Sequence, residues 1–123
     1  MHRRGFTLIE LLVVMAILGL LLSYIAPRYF GAVTRAEEAA LRQNLYQMRD
    51  AIDKFYGDQL RYPNDLNELV SRRYLRSIPP DPITKRTNSW VVMAPKSGAS
   101  GKVADVRSGA PGQSSEGTAY ASW

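Results

Sequence analysis

The chain has 123 residues and a formal net charge of +5, from 16 lysines and arginines against 11 aspartates and glutamates. This length allows one compact domain at most, and the lack of cysteine excludes disulfides, thiol chemistry and cysteine-based metal sites. The basic residues alternate with acidic ones along one segment, which is typical of a solvated helix surface. No nucleic-acid partner is therefore predicted.

The first predicted element is an apolar stretch, residues 6–26. Its only non-apolar residues are Thr7, Glu10, Gly19 and Ser23. As an α-helix this stretch would rise about 30 Å, the thickness of the hydrocarbon core of a bilayer. The sequence therefore predicts a transmembrane helix.

A short basic segment containing Arg3 and Arg4 precedes this helix. By the positive-inside rule, the N-terminus lies in the cytoplasm and the residues after Pro27 lie outside. An ordinary secretory signal peptide cut near residue 26 is one alternative, but Tyr24 and Ala26 make a poor cleavage site. A simple signal anchor is another, and it leaves the acidic residue in the helix unexplained.

Glu10 is the one residue of the apolar stretch that is charged at neutral pH. A carboxylate at the bilayer centre costs on the order of 2.5–3.5 kcal/mol on insertion scales, and such residues usually have a partner. Considered alone, Glu10 is either a tolerated polar residue near the interface or a functional group.

The residues around Glu10 resemble a known processing site. Gly5 to Glu10 reads GFTLIE and an apolar run follows, as at the leader junction of type IV pilins and type II secretion pseudopilins. The resemblance implies that a prepilin peptidase cuts after Gly5 and methylates the new amine, giving N-methylphenylalanine at Phe6. It also implies that Glu10 neutralises this amine, often that of a neighbouring subunit, during assembly.

The helix is predicted to continue beyond Pro27 as an amphipathic segment. Pro27 should bend or locally melt it. One apolar stripe, at spacings of 4, 3, 4 and 3, then consists of Leu41, Leu45, Met48, Ile52 and Phe55. We interpret it as the face on which the C-terminal domain packs, with a short coiled-coil seam as the alternative. Two i,i+4 ion pairs, each with the acidic residue first, are predicted on the remaining surface: Glu38–Arg42 and Asp50–Lys54. Gly57 and Asp58 fit the end of the helix.

The remaining residues, 59–123, predict a small α+β domain. A short helix over residues 64–73 is followed by the extended proline-rich segment 77–82. Two strands are predicted at Ser89–Ala94 and Lys102–Ser108. The final segment is mostly loop with a short strand expected at its end. Three aromatic residues are expected in or over the core: Trp90, Tyr120 and Trp123.

This half also resembles a family. The order RYP, L..LV..RYL and IP.DP, between Arg61 and Pro82, is similar to the major (G-type) pseudopilins of type II secretion. The implied fold is a long N-terminal helix with a small C-terminal antiparallel sheet. The predicted division is a cleaved leader, a transmembrane and polymerisation helix, an amphipathic helical half and a globular domain, at residues 1–5, 6–27, 28–58 and 59–123.

The family resemblance implies a calcium site in the C-terminal loop, and this chain departs from it. Pro111 stands where an aspartate is expected, and the later acidic cluster is replaced by Thr118, Ala119 and Tyr120. Calcium takes six to eight oxygens. Too few side chains remain to supply them, namely Asp105, Ser108 and Glu116. No cofactor is therefore predicted, and any calcium would depend on backbone carbonyls.

The resemblance implies a structural subunit of a type II secretion pseudopilus in the inner membrane, with its C-terminal domain in the periplasm. Its partners would be further copies of itself, prepilin peptidase, minor pseudopilins and the inner-membrane secretion platform. The single histidine, His2, lies in the predicted leader, and no catalytic constellation occurs, so no enzyme is predicted. The alternative is a type IV pilus subunit for adhesion, motility or DNA uptake, although many such pilins close their C-terminal loop with a disulfide.

Overall fold

The computed structural model describes residue 5, residues 7–96 and residues 98–123. In chain order it contains α1 (Leu8–Gln59), α2 (Leu66–Ser71), β1 (Val91–Met93), β2 (Asp105–Arg107) and a 3₁₀ helix (Tyr120–Ser122). The chain divides into two compact units, Met1–Thr34 and Arg35–Trp123, and α1 contributes residues to both.

The part of α1 in the first unit is apolar on all sides. It contains a window long and apolar enough to cross a membrane, and no residue of that window is buried within the protein. The α-helical assignment continues through Pro27, so the helix does not melt there. The bend expected at this proline stays a prediction.

The part of α1 in the second unit carries the core of that unit. The predicted stripe is confirmed, because its five side chains are each no more than 1% exposed: Leu41, Leu45, Met48, Ile52 and Phe55. They form one cluster with apolar side chains from the rest of the unit, among them Leu69, Trp90, Val103 and Val106. The stripe is therefore an intramolecular core face and not a coiled-coil seam.

Helix α2 is shorter than the predicted 64–73 because both of its ends are fixed by local hydrogen bonds. The Asp65 carboxylate accepts from the Glu68 N–H at 2.8 Å, which caps the first turn. Arg73 adopts a left-handed conformation with φ 66°, and the Tyr74 N–H donates to the Leu69 carbonyl at 2.8 Å. These contacts close the helix after Ser71.

Strands β1 and β2 pair antiparallel, with Val92 opposite Val106. Both lie inside the predicted strands and are shorter than them. After β2 the Ser108 hydroxyl donates to the buried Asp81 carboxylate at 2.6 Å, and Gly109 lies against the Ser89 carbonyl. The backbone therefore stops pairing with β1 after Arg107.

The final segment ends in the 3₁₀ helix and not in the expected strand. The Ser122 N–H donates to the Ala119 carbonyl and the Trp123 N–H to the Tyr120 carbonyl, so the chain turns tightly. Trp90 and Tyr120 are buried and Trp123 is partly buried against the core, as predicted. One long helix with a small antiparallel two-stranded sheet confirms the predicted α+β, type IV pilin-like fold.

Candidate functional site

The first candidate site is the beginning of α1. The Glu10 N–H donates to the Thr7 hydroxyl oxygen at 3.1 Å, and the Thr7 N–H donates to Glu10 Oε2 at 3.4 Å. This reciprocal arrangement is a capping box, which satisfies two N–H groups of the first helical turn. The spacing Thr-x-x-Glu could have predicted it from sequence. Glu10 therefore has a local partner in addition to any partner in an assembly.

The predicted processing residues stand next to this cap. Gly5 is exposed, and a Cβ built on it would meet no atom within 4 Å. The fold of this chain therefore leaves room for a side chain at position 5, and a requirement for glycine would come from a processing enzyme. Phe6 lies outside the described residues, so cleavage before it, methylation of its amine and its charge pairing with Glu10 stay predictions.

The helix surface around and beyond Glu10 is unusually apolar for an exposed surface. Every large apolar side chain of α1 between Leu8 and Phe30 is exposed, with Leu8 at 76% and Leu20 at 71%. Continuous apolar surface of this extent marks contact with a membrane or with other protein. The apolar helix is thus suited to anchoring the chain in a membrane.

A second candidate site lies in the second unit, where three charged residues of α1 contact the C-terminal segment, residues 105–123. We name these residues, Glu38, Arg42 and Arg49, the charged row. Glu38 is 6% exposed, and its carboxylate accepts from the Ser115 N–H and hydroxyl, each at 2.8 Å, and from the Tyr120 hydroxyl at 3.1 Å.

These hydrogen bonds shift the acidities of the groups that make them. The Ser115 N–H and then the Ser115 hydroxyl lower the pKa of Glu38, because they stabilise the ionised carboxylate, and Tyr120 and Arg42 act in the same direction. Burial, followed by the neighbouring Glu38 carboxylate, raises the pKa of Tyr120. Glu38 is therefore held ionised and Tyr120 neutral.

The two arginines of the charged row hold other parts of the C-terminal segment. Arg49 donates from Nε to Asp105 Oδ1 at 2.9 Å, and from Nη2 to the Val106 and Trp123 carbonyls at 3.0 and 2.6 Å. Arg42 lies over the Trp123 ring, with Cζ 4.2 Å from its centroid, and pairs with Glu116 at 3.3 Å. All three residues of the row thus contact the same segment.

The predicted Glu38–Arg42 surface pair is wrong. Glu38 is buried under the C-terminal segment, and Arg42 pairs with Glu116 instead. Their partners lie more than 70 residues away in sequence, which a local spacing rule cannot detect. The second predicted pair is confirmed, since Lys54 Nζ lies 2.9 Å from Asp50 Oδ2.

The oxygens considered for calcium are used in other contacts. Asp105 Oδ1 accepts from Arg49 and from the Val106 N–H, the Ser108 hydroxyl donates to Asp81, and Glu116 accepts from Arg42. Within the described ranges no three His, Cys, Asp or Glu side chains are grouped as metal ligands would be. A guanidinium beside Asp105 also repels a cation. These residues do not fit a calcium ion.

Comparison with known proteins bears on both sites. A family model described as the prokaryotic N-terminal methylation motif matches residues 1–26, which include Gly5, Thr7 and Glu10. No solved structure matches the chain significantly.

Two relatives are both called type II secretion system core protein G. The one from Klebsiella pneumoniae is 33% identical over 97 residues, which cover 66% of this chain and 69% of that protein. The one from Klebsiella michiganensis is 32% identical over 79 residues, covering 64% of this chain and 56% of that protein. The type IV major pilin protein PilA of Myxococcus xanthus is 35% identical over 68 residues, covering 55% of this chain and 31% of that protein.

The methylation motif, the exposed apolar helix and the extended similarity agree with one another, and they place the chain among pilin-like structural subunits and not among enzymes. It belongs to the type II secretion system core protein G family.

Proposed function

We propose that this chain is the major structural subunit of a type II secretion pseudopilus. The observation that carries the proposal is the capped, exposed apolar beginning of α1, which holds one carboxylate, Glu10, inside an N-terminal methylation motif. Among the described residues of its own unit, no element buries the apolar surface of this helix. Its partners are a bilayer before assembly and other copies of the helix afterwards.

In this proposal the apolar helix inserts in the inner membrane, with Arg3 and Arg4 on the cytoplasmic side and the second unit in the periplasm. A prepilin peptidase removes residues 1–5 and methylates the amine of Phe6. Further copies of the chain then join through their apolar helices into a filament. The inner-membrane secretion platform and minor pseudopilins start and extend the filament, and its growth drives protein export.

Glu10 supplies the charge that the new amine requires. An amine on Phe6 is positively charged in apolar surroundings, and its attraction to a carboxylate is strong where the dielectric constant is low. Removing one member of a buried pair costs roughly 3–5 kcal/mol, because the other charge is left uncompensated. That corresponds to a factor of roughly a hundred to several thousand at each assembly step.

The capping box allows the charge of Glu10 to be tested separately from its hydrogen bond. Glu10→Gln keeps a side-chain acceptor for the Thr7 N–H and removes the charge, whereas Thr7→Val removes the hydroxyl cap and keeps the charge. Each variant is overexpressed with its secretion machinery. Sheared surface filaments are then compared with monomer extracted from membranes, and intact mass verifies processing.

We expect Glu10→Gln and Glu10→Val to reach the membrane, to be processed and to give no filaments. Glu10→Asp should give an intermediate defect because it shortens the side chain by one methylene. Thr7→Val should still form filaments, because helix capping is worth only about 1 kcal/mol. Normal filaments from Glu10→Val would refute the charge pairing, and filament loss in Thr7→Val alone would assign the role to the cap.

The second candidate function is a type IV pilus subunit for adhesion, motility or DNA uptake. The similarity to the Myxococcus xanthus pilin favours it, although it covers a smaller share of both chains than the first comparison. A deletion strain separates the two. Loss of proteins from the culture medium supports secretion, whereas normal secretion with lost surface motility supports a pilus.

A further inference from the structure

We propose that Arg49 acts as a built-in cation that holds the C-terminal segment on α1, in place of the calcium ion that the family resemblance implies. The consequence is that the second unit folds and keeps its C-terminal segment in place independently of calcium. The proposal concerns the folding of the second unit and does not depend on the proposed role in secretion.

The geometry around Arg49 carries the proposal. One guanidinium binds three oxygens, Asp105 Oδ1 and the carbonyls of Val106 and Trp123, within 2.6–3.0 Å. Asp105 and Trp123 are the first and last residues of the segment, so one side chain fixes both of its ends to the helix. A metal ion in such a loop would do the same by collecting carboxylate and carbonyl oxygens. A guanidinium can do so because its donors are fixed in a planar fork.

Glu38 holds the middle of the same segment with the opposite charge. Its carboxylate accepts three hydrogen bonds, two from Ser115 and one from Tyr120. Between Glu38 and Arg49, Arg42 covers the Trp123 ring and pairs with Glu116. Helix α1 therefore contacts the centre of the segment with the carboxylate of Glu38 and both ends of the segment with the guanidinium of Arg49.

The helical register places these residues on one line. The charged row is spaced by four and then seven residues, which keeps its members on one side of an α-helix. Leu41 and Met48 of the buried stripe directly precede Arg42 and Arg49 in sequence. The charged row thus runs along the edge of the stripe, where a segment lying over the core must pass.

Calcium would compete with this arrangement and would not complete it. Asp105 Oδ1 already accepts from two donors, and a divalent ion at Asp105 would have to displace the guanidinium. The Ser108 hydroxyl, a second candidate ligand, donates to Asp81 and is fully buried. Glu116, the third, is engaged by Arg42.

The test is thermal unfolding of the full chain in detergent, followed by tryptophan fluorescence. Both tryptophans, Trp90 and Trp123, belong to the second unit, so the signal reports on that unit. Each protein is melted in EGTA, in millimolar CaCl₂ and in millimolar MgCl₂, because millimolar calcium saturates sites of the extracellular type. The variants are Arg49→Gln and Arg49→Lys, and Lys54→Gln of the exposed Asp50–Lys54 pair is the matched control.

We expect the wild-type midpoint to be the same in all three solutions. Arg49→Gln should lower it by about 5 °C or more in each of them, Arg49→Lys should lower it by less, and Lys54→Gln should leave it nearly unchanged. A wild-type midpoint raised by about 5 °C or more by calcium and not by magnesium would overturn the proposal. So would an Arg49→Gln protein that melts like the wild type. The wild-type comparison needs no variant to fold.

Discussion

The two parts of α1 differ in what covers their apolar side chains. Between Leu8 and Phe30 the large apolar residues are exposed, whereas from Leu41 to Phe55 the apolar stripe is almost completely buried. Both parts belong to one uninterrupted helix. Helix formation and burial are therefore separate properties of this sequence. The first part needs a partner outside the chain, and the second part finds one inside it.

The difference follows from how the apolar residues are distributed. Up to Pro27 they occupy nearly every position, so no rotation of the helix could bury them all against one small domain. From Leu41 on they recur every three or four residues and form one stripe. A domain of this size can cover one stripe, and the charged row then fixes the covering segment.

The largest effect is expected from where the chain is cut. A fragment starting near Arg28 loses the exposed apolar part and keeps the stripe, so it should be soluble, folded and largely monomeric. A fragment starting near Asp58 loses all five stripe residues and should aggregate or remain unfolded, because Leu69, Val103 and Val106 would have no apolar partner from α1. Circular dichroism melts of both fragments measure this. A cooperative melt of the shorter fragment comparable to that of the longer one would contradict the assignment of the stripe.

Glycine substitutions test the packing of the two regions at single positions. A Cβ at Gly109 would lie 2.0 Å from the Ser89 carbonyl oxygen, and one at Gly101, where φ is 103°, would lie 2.1 Å from the Tyr62 carbonyl oxygen. Gly109→Ala and Gly101→Ala should each lower the free energy of unfolding of the second unit by about 2 kcal/mol or more. Urea unfolding of the full chain in detergent, followed by tryptophan fluorescence, measures it.

The control for these variants comes from the first part of the helix. A Cβ at Gly19 would meet no atom within 4 Å, so Gly19→Ala should leave the unfolding of the second unit unchanged. A destabilisation of the second unit by Gly19→Ala as large as that by Gly109→Ala would contradict the separate roles of the two regions.

A smaller effect is expected from acid. Hydrogen bonds from Arg61, followed by the Asn64 N–H, lower the pKa of Glu68 to about 2, and Glu38 is shifted in the same direction. Because both pKa values are lowered from the 4.5 of a free glutamate, both carboxylates stabilise the fold above about pH 4.5. The contribution of Glu68 is lost as the pH falls from about 4.5 toward 2, and that of Glu38 is lost as the pH falls below about 4.5. The Glu68 contribution is on the order of 2 kcal/mol, after allowance for partial exposure of its ion pair.

Urea unfolding at a series of pH values measures this dependence. Glu68→Gln should flatten the loss of stability between about pH 4.5 and 2, and Glu38→Gln should flatten it further. Glu37→Gln is the matched control, because Glu37 pairs with Lys85, whose side chain is 70% exposed. An unchanged acid profile in Glu68→Gln would show that the Arg61–Glu68 contact does not stabilise the fold.

The features that the sequence predicts are those set by residues close together along the chain, and the features that it does not predict depend on distant contacts. The buried stripe followed from the spacing of neighbouring residues, and the pairing of two short strands followed from their composition and the turn between them. The alternation of charges along the helix predicts a solvated surface, and it does not distinguish Glu38 and Arg49, which contact the C-terminal segment. Their partners, Ser115 and Asp105, lie 77 and 56 residues further along the chain.

The beginning of α1 shows the opposite case. Thr7 and Glu10 are three residues apart, and their capping box is a local pattern that the sequence already contained. The cost of a carboxylate in a membrane predicts a partner for Glu10 without saying whether that partner is local or in another subunit. The terminal 3₁₀ helix does not follow from local propensity, because Tyr120 donates a hydrogen bond to Glu38, 82 residues earlier in the chain.

Intact-mass analysis tests most directly whether the exposed apolar helix belongs to a processed, pilin-like subunit. The full chain is coexpressed with a prepilin peptidase and its mass is measured, with a bulky substitution such as Gly5→Leu as the control. We predict removal of five of the 123 residues, leaving 118, together with one added methyl group on Phe6. Gly5→Leu should remain uncut, although the fold leaves space for its side chain. An uncut wild-type chain, or one cut near residue 26, would contradict the account.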